Sequence, residues 1–283
     1  MTYERRFQVL DYVFEVKTPC REVAELVEFI ARDVEQPWEP RWTITFSVSA
    51  AARGYDLFED GEPLARGIWA GAVVEQIQLR ITRIVFTRLG DDGWVAVHAG
   101  AADIHGRRVL VTGEKGAGKT SLLVRLLLDG AEVQGDDVTL IGSDGSTLPY
   151  PRRFHLKDGI DQIVPELTAV LPTVPTLHYG EFRVWAWPPP GSWQVDWAPV
   201  DAIVLLEKSD DATSRLVPFP SYRAAQHLMS HLMVVPSGRG WITDICRLVA
   251  GAACYRLLLG DLRQAADLVS ESLPLGRPIW EHA

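Results

Sequence analysis

The chain has 283 residues, with 28 Lys and Arg against 37 Asp and Glu and a net charge of −9. Hydrophobic residues at 47% and charged residues at 23% exclude a disordered chain, a collagen and a disulfide-stapled mini-protein. The acidic balance argues against a general nucleic-acid binder, which needs clustered surplus cation.

In chain order, residues 7–16 alternate as a strand, and residues 21–34 carry a helical stripe of Val23, Leu26, Val27, Ile30 and Ala31. Residues 42–48 place Trp42, Ile44, Phe46 and Val48 on one face and Thr43, Thr45 and Ser47 on the other, a strand pattern. Residues 55–64 around Asp60-Gly61 read as a hairpin, and 69–89 as a long helix. A small α+β domain over residues 1–93 is expected. From Trp94 onward strand and helix patterns alternate, which predicts an α/β domain over 94–283. Its strands are expected at 94–99, 108–112, 131–134, 138–141, 200–207 and 253–258. Its helices are expected at 120–128, 222–234, 241–253 and 262–270. Residues 148–200, rich in Pro and Trp, read as loop with short strands.

The strongest signal is Val109-Leu110-Val111-Thr112-Gly113-Glu114-Lys115-Gly116-Ala117-Gly118-Lys119-Thr120. It is an apolar strand, then G-x-x-x-x-G-K-T, then a helix opening at Ser121. The glycines allow backbone conformations closed to other residues, so the amides from Gly113 to Ser121 can converge on a polyphosphate, and the helix points its positive end at the same place. Lys119 supplies a mobile charge for the terminal phosphates, and the Thr120 hydroxyl is a hard oxygen ligand for Mg2+. Nucleotide binding follows from this motif; the fate of the phosphate does not.

Asp136 and Asp137 follow the strand expected after the loop helix. A right-handed crossover would set that strand next to the loop strand, with its C-terminal end beside the phosphates. Two adjacent carboxylates there can divide the work, one holding Mg2+ and the other taking the acceptor's proton. His98 ends an apolar strand upstream, and spacing alone assigns it no role.

These residues resemble a known family. Val97-His98-Ala99-Gly100-Ala101 followed by Gly106 and the loop is similar to the corresponding run of the HPr kinase/phosphorylase family. So is 128–138, ending Gln134-Gly135-Asp136-Asp137-Val138, with matching spacing from the loop lysine. Val235-Pro236-Ser237-Gly238-Arg239-Gly240 resembles a third family segment. The resemblance implies a phosphoenolpyruvate-carboxykinase-like P-loop kinase core preceded by the small α+β domain, and ATP and Mg2+ as cofactors. It implies Asp136 as general base, His98 beside it near the transferred phosphate, Lys119 on the β- and γ-phosphates, Thr120 and Asp137 on the metal, and Arg239 anchoring phosphate or acceptor. The resembled family assembles, which implies a homo-oligomer. A short α+β unit ahead of the core is similar to relatives that phosphorylate a serine of lasso-peptide precursors.

The expected function is a kinase that phosphorylates a hydroxyl, foremost serine, on a peptide or small protein. A free small-molecule alcohol as acceptor and a non-catalytic nucleotide-binding regulator are the alternatives. Arg152, Arg153, His155 and Lys157 read equally as a lip at the site or an exposed loop. Trp185, Trp187, Trp193 and Trp197 read as core rather than an acceptor groove. His227 and His231, four apart on a helix, lack a recognisable third ligand and read as structural. Cys20, Cys246 and Cys254 show no C-x-x-C spacing, so neither zinc nor disulfides are expected, and Cys246 and Cys254 are expected in the core. No apolar stretch reaches about 18 residues, and the first residues lack a signal peptide's apolar run. A cytoplasmic protein with no membrane partner is the expectation.

Overall fold

A computed structural model describes residues 2–179, 181–190, 193–236 and 240–272. The chain divides into two compact units, Met1–Arg88 with Pro151–Gln194, and Leu89–Tyr150 with Val195–Ala283. The division therefore differs from the expected cut at 93, because residues 151–194 group with the N-terminal segment.

In the first unit the expected strand at 7–16 is a hairpin, Tyr3–Val9 with Tyr12–Thr18. Leu10, at φ 54°, turns the chain in the middle of the alternation. Tyr12–Thr18 pairs in parallel with Trp42–Ala50, which pairs antiparallel with Tyr55–Glu59, and that strand with Glu62–Ile68. Phe14, Phe46 and Leu57 are fully buried on this five-stranded sheet, as are Val73, Val74 and Ile77 on one stripe of the helix Ala70–Asp91. The helix expected at 21–34 stops after Val27. The short strands expected within residues 148–200 are present, and they pair with one another. Phe154–Lys157, Phe182–Trp187 and Thr176–Tyr179 form a three-stranded antiparallel sheet, with Trp185, Trp187 and Trp193 buried.

The second unit is built on a ten-stranded sheet. Its middle is parallel: Arg107–Gly113 and Ala253–Leu259 flank Ala198–Lys208. Arg107–Gly113 and the middle of Ala198–Lys208 are buried apolar runs, the pattern of strands covered on both faces, while Ala253–Leu259 is mostly half-buried. Ala99 and Ala101 join Val95, Val97, Leu110, Ile203, Leu228, Ile245 and Leu248 in one core cluster, to which the helices Ser221–Ser230 and Gly240–Gly251 contribute. Gly100 points the other way, toward Leu123 of the helix Lys119–Leu128. The last helix, Leu262–Ser272, contacts that helix.

One expectation about the sheet is corrected. The strand Glu132–Gly135 does not lie beside the loop strand. Ala99–Ile104 sits between them, antiparallel to both. A two-residue turn at His105 and Gly106 folds Ala99–Ile104 directly back on Arg107–Gly113, and this local pairing takes the place that a crossover strand would occupy. Gly135 still pairs with Ala101, so the aspartates emerge one strand further from the loop. Residues 222–234, expected as one helix, form Ser221–Ser230 and then an edge strand, Leu232–Val234. Cys246, expected in the core, is exposed because it lies off the buried helix stripe of Ile245, Leu248 and Val249, and Cys254, which lies on the strand Ala253–Leu259, is half-buried.

Candidate active site

The loop strand Arg107–Gly113 runs through Glu114–Gly118 into the helix Lys119–Leu128. Gly113 carries φ +149°, and a Cβ there would lie 2.4 Å from the Leu206 carbonyl oxygen. Only glycine lets the chain leave the strand so close to its parallel neighbour. Glu114, Lys115 and Gly116 are exposed, while Ala117 and Lys119 are buried. The Lys119 ammonium donates to the carbonyls of Gly113 at 2.7 Å and Glu114 at 3.1 Å. Its charge is thereby held inside the curve of the loop. The amides of Lys119, Thr120 and Ser121 open the helix, the end at which the helix dipole favours an anion.

Across the sheet, Asp136 and Asp137 follow the strand Glu132–Gly135. The Thr120 hydroxyl donates to Asp136 Oδ2 at 2.9 Å. Asp137 Oδ1 lies 3.3 Å from His98 Nδ1. The resemblance implied Thr120 with Asp137 and His98 beside Asp136, so the pairing found here is the exchanged one. Asp136 is 4% exposed, whereas the Asp137 side chain is 28% exposed. Close packing of backbones makes this approach possible: a Cβ on Gly100 would lie 2.8 Å from both Asp136 Cα and the Gly135 carbonyl oxygen. Thr139 donates its hydroxyl to the Ala99 carbonyl, which fastens the segment after the aspartates to the strand that follows His98.

A partly buried network around Arg108 supports the far end of the same strands. Arg108, its side chain 1% exposed, donates twice to Asp103 and to Asp196 Oδ1 at 2.7 Å, and to the carbonyls of Thr147 and Asp196. Gln134 donates to both carboxylates. Burial opposes the ionisation of Asp196, but the bonds from Arg108 and Gln134 outweigh it and hold that carboxyl below its usual range. Burial likewise opposes the Arg108 charge, and the two aspartates overcome it, raising its pKa.

A further group adjoins the loop. The rings of His227 and His231 stack with centroids 4.0 Å apart, and His231 Nε2 lies 3.3 Å from Glu114 Oε1. Burial, with the charges of His231 and Lys119, pushes His227 down to about 4, so its imidazole is neutral near pH ~7. The third partner of the histidine pair is thus a residue of the glycine loop. Its distance along the chain hid it from spacing rules, while the i, i+4 spacing of the histidines was the one visible signal.

Arg152, Arg153, His155 and Lys157 belong to the first unit, where Arg153 is buried near Glu28 and His155 rests on Phe29. The tryptophans divide between the units, with Trp197 stacked on Trp94 in the second. Arg239 lies outside the described residues. Among the described residues, no helix is long and apolar enough to cross a membrane.

No family model matches the chain, and no curated protein matches it. Among solved structures it is similar to the HPr(Ser) kinase/phosphatase from Coxiella burnetii, at 15% identity over 63% of this chain and 92% of that chain, with a TM-score of 0.31.

Proposed function

We propose that this protein is a phosphotransferase that moves the terminal phosphoryl group of ATP, with Mg2+, onto a serine hydroxyl of a peptide or small protein. The observation that carries this reading is the meeting of three elements in one unit: the loop with Lys119, the Thr120–Asp136 pair, and the Asp137–His98 pair. Thr120 and Asp136 offer two hard oxygens at one point, a donor set suited to Mg2+. The glycine loop offers the amides and the cation that a triphosphate requires. When bound, the nucleotide supplies the phosphoryl group and the metal neutralises its developing charge.

The chain's own residues divide the remaining work. The loop amides and Lys119 bind and orient the phosphates. Asp136, buried and bonded to Thr120, serves the metal. Asp137, the more accessible acid, takes the proton of the attacking hydroxyl as the new oxygen–phosphorus bond forms and ADP departs. His98 positions Asp137 through its Nδ1. The two aspartates thus exchange the duties implied by the resemblance, because the acid that meets an acceptor must be reachable and the acid that shares a metal must adjoin Thr120.

The test is incubation of the purified chain with ATP, Mg2+ and a library of serine-containing peptides, read by mass spectrometry. The expected result is one phosphoryl group gained on serine with ADP released. Phosphorylation of free alcohols only would move the acceptor class, and nucleotide binding without any phosphorylated product would overturn the proposal.

A further inference from the structure

We propose that His227, His231 and Glu114 form a site for one zinc-type divalent ion, which ties the glycine loop to the end of the helix Ser221–Ser230. Each of the three offers one ligand atom, and these atoms lie within 4.8 Å of one another. The His231 Nε2 to Glu114 Oε1 separation of 3.3 Å is about that of two corners of a tetrahedron with bonds of roughly 2.0–2.1 Å. Glu114 has a side chain 78% exposed, so it can swing to close the wider spacing without disturbing packing.

The histidines are prepared for this role. His231 Nδ1 lies 2.9 Å from the His227 carbonyl oxygen and 3.0 Å from Ser230 Oγ. A carbonyl only accepts, so Nδ1 carries a proton, and Nε2, the nitrogen that faces Glu114, is the one left to meet a metal. Metal-bound imidazoles are held in this way, with the second nitrogen donating to a backbone carbonyl. His227 Nε2 is buried and has no hydrogen-bond partner among the described residues. Such a nitrogen costs free energy unless something occupies its lone pair.

Two imidazoles and one carboxylate are a borderline-soft set that suits Zn2+ or Co2+, whereas Mg2+ prefers an all-oxygen shell. The site is therefore chemically separate from the Thr120–Asp136 pair. It acts on the same loop, since Lys119 already holds the Glu114 carbonyl. His98 donates its backbone N–H to the His231 carbonyl at 2.8 Å, so the site also adjoins the strand that carries His98.

The experiment needs neither nucleotide nor acceptor, so its outcome is independent of the proposed activity. The full chain is stripped with EDTA and titrated with Co2+, followed by visible absorption, and with Zn2+ against a chromogenic chelator. One equivalent should bind with tetrahedral-type cobalt bands that Zn2+ bleaches and millimolar Mg2+ does not. His231→Gln and Glu114→Gln should each weaken binding by at least about tenfold. Glu114→Gln changes an exposed side chain, so its unaltered melting temperature serves as the folding control if His231→Gln is unstable. Absence of cobalt bands, or Zn2+ affinity unchanged in Glu114→Gln, overturns the site.

Discussion

The Thr120 hydroxyl hydrogen-bonds Asp136 Oδ2 at 2.9 Å, joining the first turn of the loop helix to an acid two strands away from the loop strand. The neighbouring acid, Asp137, meets His98 instead. These two pairings sort two adjacent carboxylates into separate surroundings, one buried and one partly exposed.

Asp137→Asn should lower turnover by ~10²–10⁴ and leave the Mg2+ concentration for half-maximal activity unchanged. Asparagine keeps the shape but does not take the proton. Asp136→Asn should raise that Mg2+ requirement, because one of the two hard oxygens loses its charge. Steady-state kinetics across a Mg2+ series separates the two, and the opposite pattern would return the base to Asp136.

Gly100→Ala should destabilise the second unit by about 1–3 kcal/mol. The added methyl would meet Leu123 Cδ1 at 2.3 Å and the Asp136 backbone at 2.8 Å, and backbone yields little. Urea denaturation measures the loss. A variant as stable as the parent would show that Gly100 does not set the approach of Asp136.

Arg108→Leu should cost about 1–3 kcal/mol, less than for a fully buried ion network because the Asp196 side chain is half-exposed. It leaves Asp103 and Asp196 facing each other across Gln134 without their shared cation. A combined Arg108→Leu, Asp103→Asn variant should recover part of that loss. Equal stability of the single and double variants would argue against charge as the cause.

His155 gives the first unit a pH dependence. Burial, with the charges of Arg152, Arg32 and Lys157, holds its pKa well below the ordinary value of 6.5. The unfolded chain therefore binds a proton that the folded chain resists. This stability is present above pH ~6.5 and is lost as pH falls below it. Thermal melts between about pH 7 and pH 5 should fall more steeply for the parent than for His155→Phe, which keeps the ring against Phe29. Parallel curves would show that His155 carries no such linkage.

Local chemistry made the glycine loop legible. The apolar run into Gly113, the glycines at positive φ and the helix from Lys119 all depend on residues within one turn of each other. The hairpin at Asp60-Gly61 was readable for the same reason. The Cys246 expectation was overturned because spacing along a helix says which residues share a face but not which face is covered.

The sequence by itself determined the loop, its helix and the presence of an acid pair downstream, since backbone freedom and side-chain periodicity act over a few residues. Tertiary structure alone decided that Ala99–Ile104 stands between the loop strand and the aspartates, that Thr120 meets Asp136 and His98 meets Asp137, and that Glu114 faces His231 across more than a hundred residues of chain. Those contacts depend on the order in which strands assemble into a sheet. That order is set by competition among all possible pairings, which no local spacing records.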